Sequence, residues 1–162
     1  MSDSGAQVGR KRVYRGGMSH LHVRPKLVIG SPGADVAIRF YQEVLGAEPV
    51  TRFTMGEAVV LAQLELPGGD VLQVKDNDEH DPAPPAGGGG VVLDIECDDP
   101  DAVAAAAVER GAVMVFDVAD QPYGPRQGRF RDPFGHQWIV GTPPTMSDAD
   151  VQAALDRWVE QS

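Results

Sequence analysis

The stretch Asp132-Pro133-Phe134-Gly135-His136-Gln137-Trp138-Ile139, DPFGHQWI, joins a turn to a strand. Asp first, Pro second and Gly fourth is the composition of a tight turn. From His136 the chain enters an apolar run that ends at Gly141, which reads as a strand over 136–141. Side chains alternate across a strand, so Gln137 and Ile139 share one face and His136, Trp138 and Val140 the other. Whether that strand offers a metal ligand or only packing residues decides how the chain is read.

Working outward from this strand, a repeat emerges. WIVG (138–141) stands 65 residues after QVKD (73–76), VVLDI (91–95) 65 after KLVIG (26–30), and Gly111 65 after Gly46. Three landmarks with one spacing predict duplication of a β-α-β-β-β unit. In the first unit a strand over 22–30 leads to Ser31-Pro32, which predicts a helix with proline at its first position. Ala37, Phe40, Tyr41, Val44 and Leu45 make an apolar stripe that faces a sheet, and Gly46 is the stop. Strands follow at 49–55, 58–66 and 70–75, with Gly68-Gly69-Asp70 as a hairpin turn. The second unit repeats this with a strand over 91–97 and a helix from Asp99-Pro100 to about Arg110. Asp101 suits that helix's positive end. Strands at 112–118, 127–131 and 136–141 complete the unit. The Pro- and Gly-rich run DEHDPAPPAGGGG (78–90) separates the two units.

The organisation that follows is a basic tail over 1–19, read as disordered, then one domain over 20–143. That domain holds modules 20–77 and 89–143 joined by a linker over 78–88. A helix closes the chain within 144–162. Ser147 with Asp150 resembles a capping box, and Val151, Ala154, Leu155, Trp158 and Val159 form its apolar face. That face packs either onto the domain or onto a second subunit.

The net charge of −10 understates the acidity of the body. Arg10, Lys11, Arg12 and Arg15 lie in the tail against Asp3 alone, and the remaining 145 residues carry −13. Such a surface repels nucleic-acid phosphates, so no nucleic-acid partner is expected. No apolar run approaches the roughly 18 residues of a membrane span, and the N-terminus lacks a signal peptide's apolar centre. A single cysteine, Cys97, forms no internal disulfide and fits a reducing cytoplasm. Ser31, Ser147 and Ser162 have no histidine in reach, and Gly87–Gly90 lacks the strand-then-helix setting of a phosphate loop.

AIRFYQEVLGAEP (37–49) and YGPRQGRFRDPFGHQW (123–138) together resemble the vicinal oxygen chelate superfamily. That superfamily includes glyoxalases, extradiol dioxygenases, fosfomycin-resistance enzymes and bleomycin-resistance proteins. The pattern is closest to its PhnB-like branch and covers about residues 22–143. The resemblance implies an α+β fold, two βαβββ modules forming a cupped mixed sheet around a cleft, followed here by the C-terminal helix. It also implies homodimerisation. In metal-using members, four side chains converge from the module strands on one divalent ion. Carried over residue by residue, those positions fall on Lys26, Gln63, Val92 and Ile139. A register slip of two puts Glu65 in place of Gln63. A charged lysine has no lone pair to give, and valine and isoleucine have no donor atom. The expectation is therefore no metal and no cofactor.

The cleft lining by strand parity includes Lys26, Val28, Leu61, Gln63, Glu65, Val92, Asp94, Gln137 and Ile139, a mixed wall suited to a small organic ligand. Asp94 in an apolar strand needs a partner or water, and Lys26 on the equivalent strand is the candidate. Tyr123 is placed to stack on a planar ligand at the mouth. Arg126, Arg129 and Arg131 are either solvated hairpin residues or holders of an anionic group. His20, His22, His80 and His136 share no face. The candidate ligand-binding residues are Lys26, Gln63, Glu65, Asp94, Tyr123 and Gln137, with no catalytic residue assigned. The leading function is a metal-free protein that binds a small organic molecule, with sequestration of a drug-like planar compound as one form of that role. The alternatives are a metal-dependent lyase or dioxygenase, and a non-catalytic dimeric assembly domain.

Overall fold

The structure is a computed structural model that describes residues 21–85 and 90–161. The basic tail over 1–19, His20 and Gly87–Gly89 lie outside the described residues. The elements run β1 (Lys26–Ile29), α1 (Ala34–Leu45), β2 (Glu48–Met55), β3 (Ala58–Glu65), β4 (Val71–Asp76), β5 (Val92–Glu96), α2 (Pro100–Glu109), β6 (Val113–Asp120), β7 (Arg126–Arg131), β8 (Gln137–Gly141) and α3 (Asp148–Glu160). They form two four-stranded mixed sheets, ordered β1-β4-β3-β2 and β5-β8-β7-β6. In each, the first strand pairs parallel with the last and the other pairs are antiparallel. The predicted α+β fold of two βαβββ modules with a C-terminal helix is the fold observed.

The single repeat spacing of 65 does not hold along the modules. β1 and β5 begin 66 residues apart, at Lys26 and Val92. Their parallel partners, Gln73 and Gln137, are 64 apart. Connections of unequal length between corresponding elements shift the register, so 65 is an intermediate value.

Helix α1 starts two residues later than the proline rule predicts. Ser31-Pro32 is a cis peptide bond in a turn, and Gly33 occupies the N-cap without a capping side chain. The cap comes from elsewhere: Asp76 on β4 accepts from the Ala34 N–H at 2.7 Å and, through its other oxygen, from the Val59 N–H at 2.7 Å. One carboxylate thus satisfies a helix-end donor and ties it to β3. The helix ends as expected, on Gly46 in the left-handed region (φ 66°), with its N–H donating to the Gln42 carbonyl. In the second module Asp99 caps α2 through the Ala102 N–H at 3.0 Å, with Pro100 at the first position.

The stripe of α1 is buried at Ala37, Phe40, Tyr41 and Val44 against Leu27, Ile29, Ala62, Leu64 and Val74 of the first sheet. Helix α2 is rich in alanine, and its small buried face, Ala104 and Ala107, lets α1 and α2 approach. The core therefore lies between the helices and one face of each sheet. The other faces stay open, and strand parity predicted which residues they carry.

Helix α3 is capped by Ser147, whose hydroxyl accepts from the Asp150 N–H at 3.2 Å. Only Ala154 of its apolar face is buried, and Trp158 and Val159 remain 51% and 77% exposed.

Candidate functional site

Asp132 opens the turn that precedes β8 and is 3% exposed. Its Oδ1 accepts from the backbone N–H groups of Phe134 and His136, each at 2.9 Å. Its Oδ2 accepts from the Trp138 indole N–H at 2.8 Å and from the Tyr41 hydroxyl at 2.7 Å. Burial, and then the Asp132 charge, raise the Tyr41 hydroxyl well above the usual phenol range, so it stays a donor. Around this carboxylate, Phe134 packs edge-on against Phe40 (5.6 Å between centroids) and Trp138 tilts against Tyr41 (5.5 Å). The turn motif of the second module and the Phe-Tyr pair of the first are two halves of one contact. His136 adds to it: its Nε2 lies 3.0 Å from the Val28 carbonyl oxygen on β1. The strand that opened the question therefore carries packing and docking residues on this side, as parity predicted for Trp138 and Val140.

The opposite faces hold the candidate site. Across the first sheet, Lys26, Gln73, Gln63 and Thr51 stand in register on β1, β4, β3 and β2. Across the second, Val92, Gln137, Arg131 and Val113 form one row on β5, β8, β7 and β6, and Asp94, Ile139, Arg129 and Phe116 the next. The four positions that the resemblance aligns with metal ligands, Lys26, Gln63, Val92 and Ile139, carry an ammonium, a carboxamide and two hydrocarbons. Among the described residues no three His, Cys, Asp or Glu side chains converge as a metal site. This donor set does not fit a divalent ion.

The six candidate ligand residues do not gather at one point. Lys26 and Gln137 line one cavity of about 430 Å³ between β1, the linker prolines Pro82, Pro84 and Pro85, and β8. Asp94 lines a different cavity of about 390 Å³ with Pro125 and Gln127. Tyr123 is half-buried, its hydroxyl donates to Gln127 Oε1 at 2.8 Å, and burial, then the nearby Asp94 charge, raise its pKa. Glu65 is exposed beside the start of β2, and Gln63 stays half-buried in its row.

The Asp94–Lys26 pairing expected from sequence does not form, and Arg126 is neither simply solvated nor free for an anion. Asp94 is exposed and forms no ion pair with Lys26 among the described residues; the two line different cavities. Arg126 is taken by carboxylates, with Asp101 at 2.6 and 2.8 Å and Asp120 at 3.3 Å. Lys75, which parity puts on the Gln73 face of β4, is buried there, which parity alone does not show. It is satisfied by Asp78 at 2.7 Å and by Asp81, and its ammonium, together with backbone N–H groups, holds Asp78 down to about 2.

Residues 22–140 match the Glyoxalase/Bleomycin resistance protein/Dioxygenase superfamily. The chain belongs to this superfamily. The glyoxalase-type chain is also 32% identical to an uncharacterized protein of Mycobacterium tuberculosis, over 96% of both. A Pseudomonas aeruginosa protein of known structure shares the fold at a TM-score of 0.65 and 20% identity, covering 76% of this chain and 98% of that one. So does the fosfomycin resistance protein FosX from Listeria monocytogenes complexed with Mn(II) and sulfate, at a TM-score of 0.56 and 14% identity, over 78% and 94%. Residues that sequence reading missed are Asp132 as a buried acceptor, Asp76 as a cap and Gln73 in the Lys26 row. Only Gln73 had a local signal, its parity in β4.

Proposed function

We propose that this glyoxalase-type chain is a small-molecule-binding protein that uses no divalent ion at the superfamily's metal position. The observation that carries this reading is the donor set at Lys26, Gln63, Val92 and Ile139, two of which have no donor atom at all. The FosX structure named above carries Mn(II); a chain with hydrocarbon at two ligand positions has no means to follow it. The contacts proposed for a planar organic ligand are Lys26 and Gln137 in the 430 Å³ cavity; Asp94 lines a different cavity, and Tyr123, Gln63 and Glu65 do not line this one. A cavity of that size, walled by prolines, Leu27, Val28 and Leu93 with three polar side chains, Lys26, His136 and Gln137, suits such a compound. The motif FY with DPFGH-x-W supports placement in the PhnB-like branch, and the lone Cys97 thiol supports a cytoplasmic setting.

The test is elemental analysis of the purified chain after exposure to zinc, manganese and iron, beside thermal melts with planar aromatic compounds. The expected result is metal far below one per chain and a raised melting point with a subset of the compounds. One tightly held ion per chain, lost on substitution of Lys26 or Gln63, would refute the reading.

Homodimerisation is part of the proposal. Val50, Phe53 and Met55 on edge strand β2 and Val113, Val115 and Phe116 on edge strand β6 are exposed large apolar residues. Apolar edge strands left open invite pairing or coverage. Sedimentation of the chain is expected to give a dimer, and Phe53→Asp with Phe116→Asp a monomer. A wild-type monomer at micromolar concentration removes this part.

A further inference from the structure

We propose that Arg129 and Arg131 form an oxyanion-binding pair on the open face of the second sheet, so that the ligand carries a carboxylate, phosphonate or phosphate. This rests on the binding reading above and gives its ligand a charge. The two arginines are alternate residues of β7, with Phe130 between them fully buried on the helix side. Both guanidinium groups therefore leave the same face, roughly 7 Å apart along the strand. Both are half-buried, and the Nε atom of each is buried with no hydrogen-bond partner among the described residues.

This is exceptional within the molecule. Among the described residues, the other lysines and arginines that are not exposed have carboxylates: Lys75 has Asp78 and Asp81, and Arg126 has Asp101 and Asp120. Arg129 and Arg131 have neither, in a chain with 24 acidic residues to choose from. Directly across from them stand Ile139 and Gln137 on β8, and Phe116 and Val113 on β6. A chain selected for stability alone would place a carboxylate at one of these positions, because a buried N–H without a partner and two neighbouring like charges both cost free energy. Two planar forks beside apolar walls suit the head of an organic oxyanion, each guanidinium offering two parallel donors. The acidic remainder of the surface disfavours a polymeric anion and selects a small one.

The experiment uses the full chain at fixed ionic strength with phenylphosphonate and benzoate as probes and benzamide as the neutral counterpart. Phenylphosphonate or benzoate is expected to raise the wild-type melting point by about 5 °C near saturation, and benzamide to leave it within error. Arg129→Gln/Arg131→Gln is expected to lose that shift, to bind the probe at least about tenfold more weakly by calorimetry, and to melt higher than wild type without probe. Arg126→Gln, whose guanidinium is already paired, is expected to keep the probe's shift. Equal anion shifts in wild type and the double variant overturn the inference, as does stabilisation by heparin in place of the small probes. If neutral planar compounds bind and the anions do not, the binding reading survives and the anion pair falls. If neither class binds, both fall.

Discussion

Asp132→Ala is expected to destabilise the chain by about 3–5 kcal/mol, measured by urea denaturation. The substitution strands four donors at once: the Tyr41 hydroxyl, the Trp138 indole and two backbone N–H groups. Two of them sit among side chains that are at most 1% exposed, where water cannot replace the lost acceptor. Tyr41→Phe removes one donor together with its own desolvation and is expected to cost only about 1–2 kcal/mol. In the double variant the losses are expected to be strongly non-additive, since the phenol no longer lacks a partner. An Asp132→Ala chain within about 1 kcal/mol of wild type would show that the turn, not the carboxylate, joins the modules.

Gly128→Ala is the second large effect, about 2–3 kcal/mol by the same measurement. Gly128 lies on the helix side of β7, under the irregular part of β6 between Phe116 and Ala119. A Cβ there would stand 2.6 Å from Val118 Cγ2 and 2.9 Å from both its Cα and its backbone nitrogen. A side-chain methyl alone can turn aside, but a strand backbone cannot without breaking its pairing with β7. Because Arg129 is the next residue, the same substitution is expected to weaken phenylphosphonate binding at the proposed arginine pair. A fully stable Gly128→Ala chain would mean that β6 shifts freely at its irregularity, and the expected clash is then absent.

Local patterns located the elements closely. The apolar stripe of α1, the Asp99-Pro100 start of α2 and the turn at Asp132 all arise from residues within a few positions of one another. Strand parity was equally legible, because one face of each sheet meets helices: Leu64 and Val140 are buried while Gln63 and Ile139 stay half-open. The misreadings share a cause. Pro32 satisfied the local rule for a helix start, but the cap is Asp76, 42 residues from Ala34 in the chain. Lys26 looked like the partner of Asp94 because strand equivalence put them on matching elements, yet equivalence in a repeat is not proximity. The candidate site was legible only as a set of faces; how those faces divide into separate cavities was not.

The sequence by itself determined the two βαβββ modules and the side chains each strand turns toward its helix, and it places hydrocarbon, Val92 and Ile139, at two positions that the resemblance aligns with metal ligands. Periodicity, capping and donor chemistry are properties of neighbouring residues, so they can be read without the fold. Only the tertiary structure decided that Asp132 is the acceptor joining the modules and that, among the described residues, Arg129 and Arg131 are left without carboxylates while Arg126 is not. Those outcomes depend on which atoms meet across 91 residues in one case and across β6, β7 and α2 in the other. Long-range hydrogen bonds form where packing brings their groups together, and no local pattern encodes the meeting.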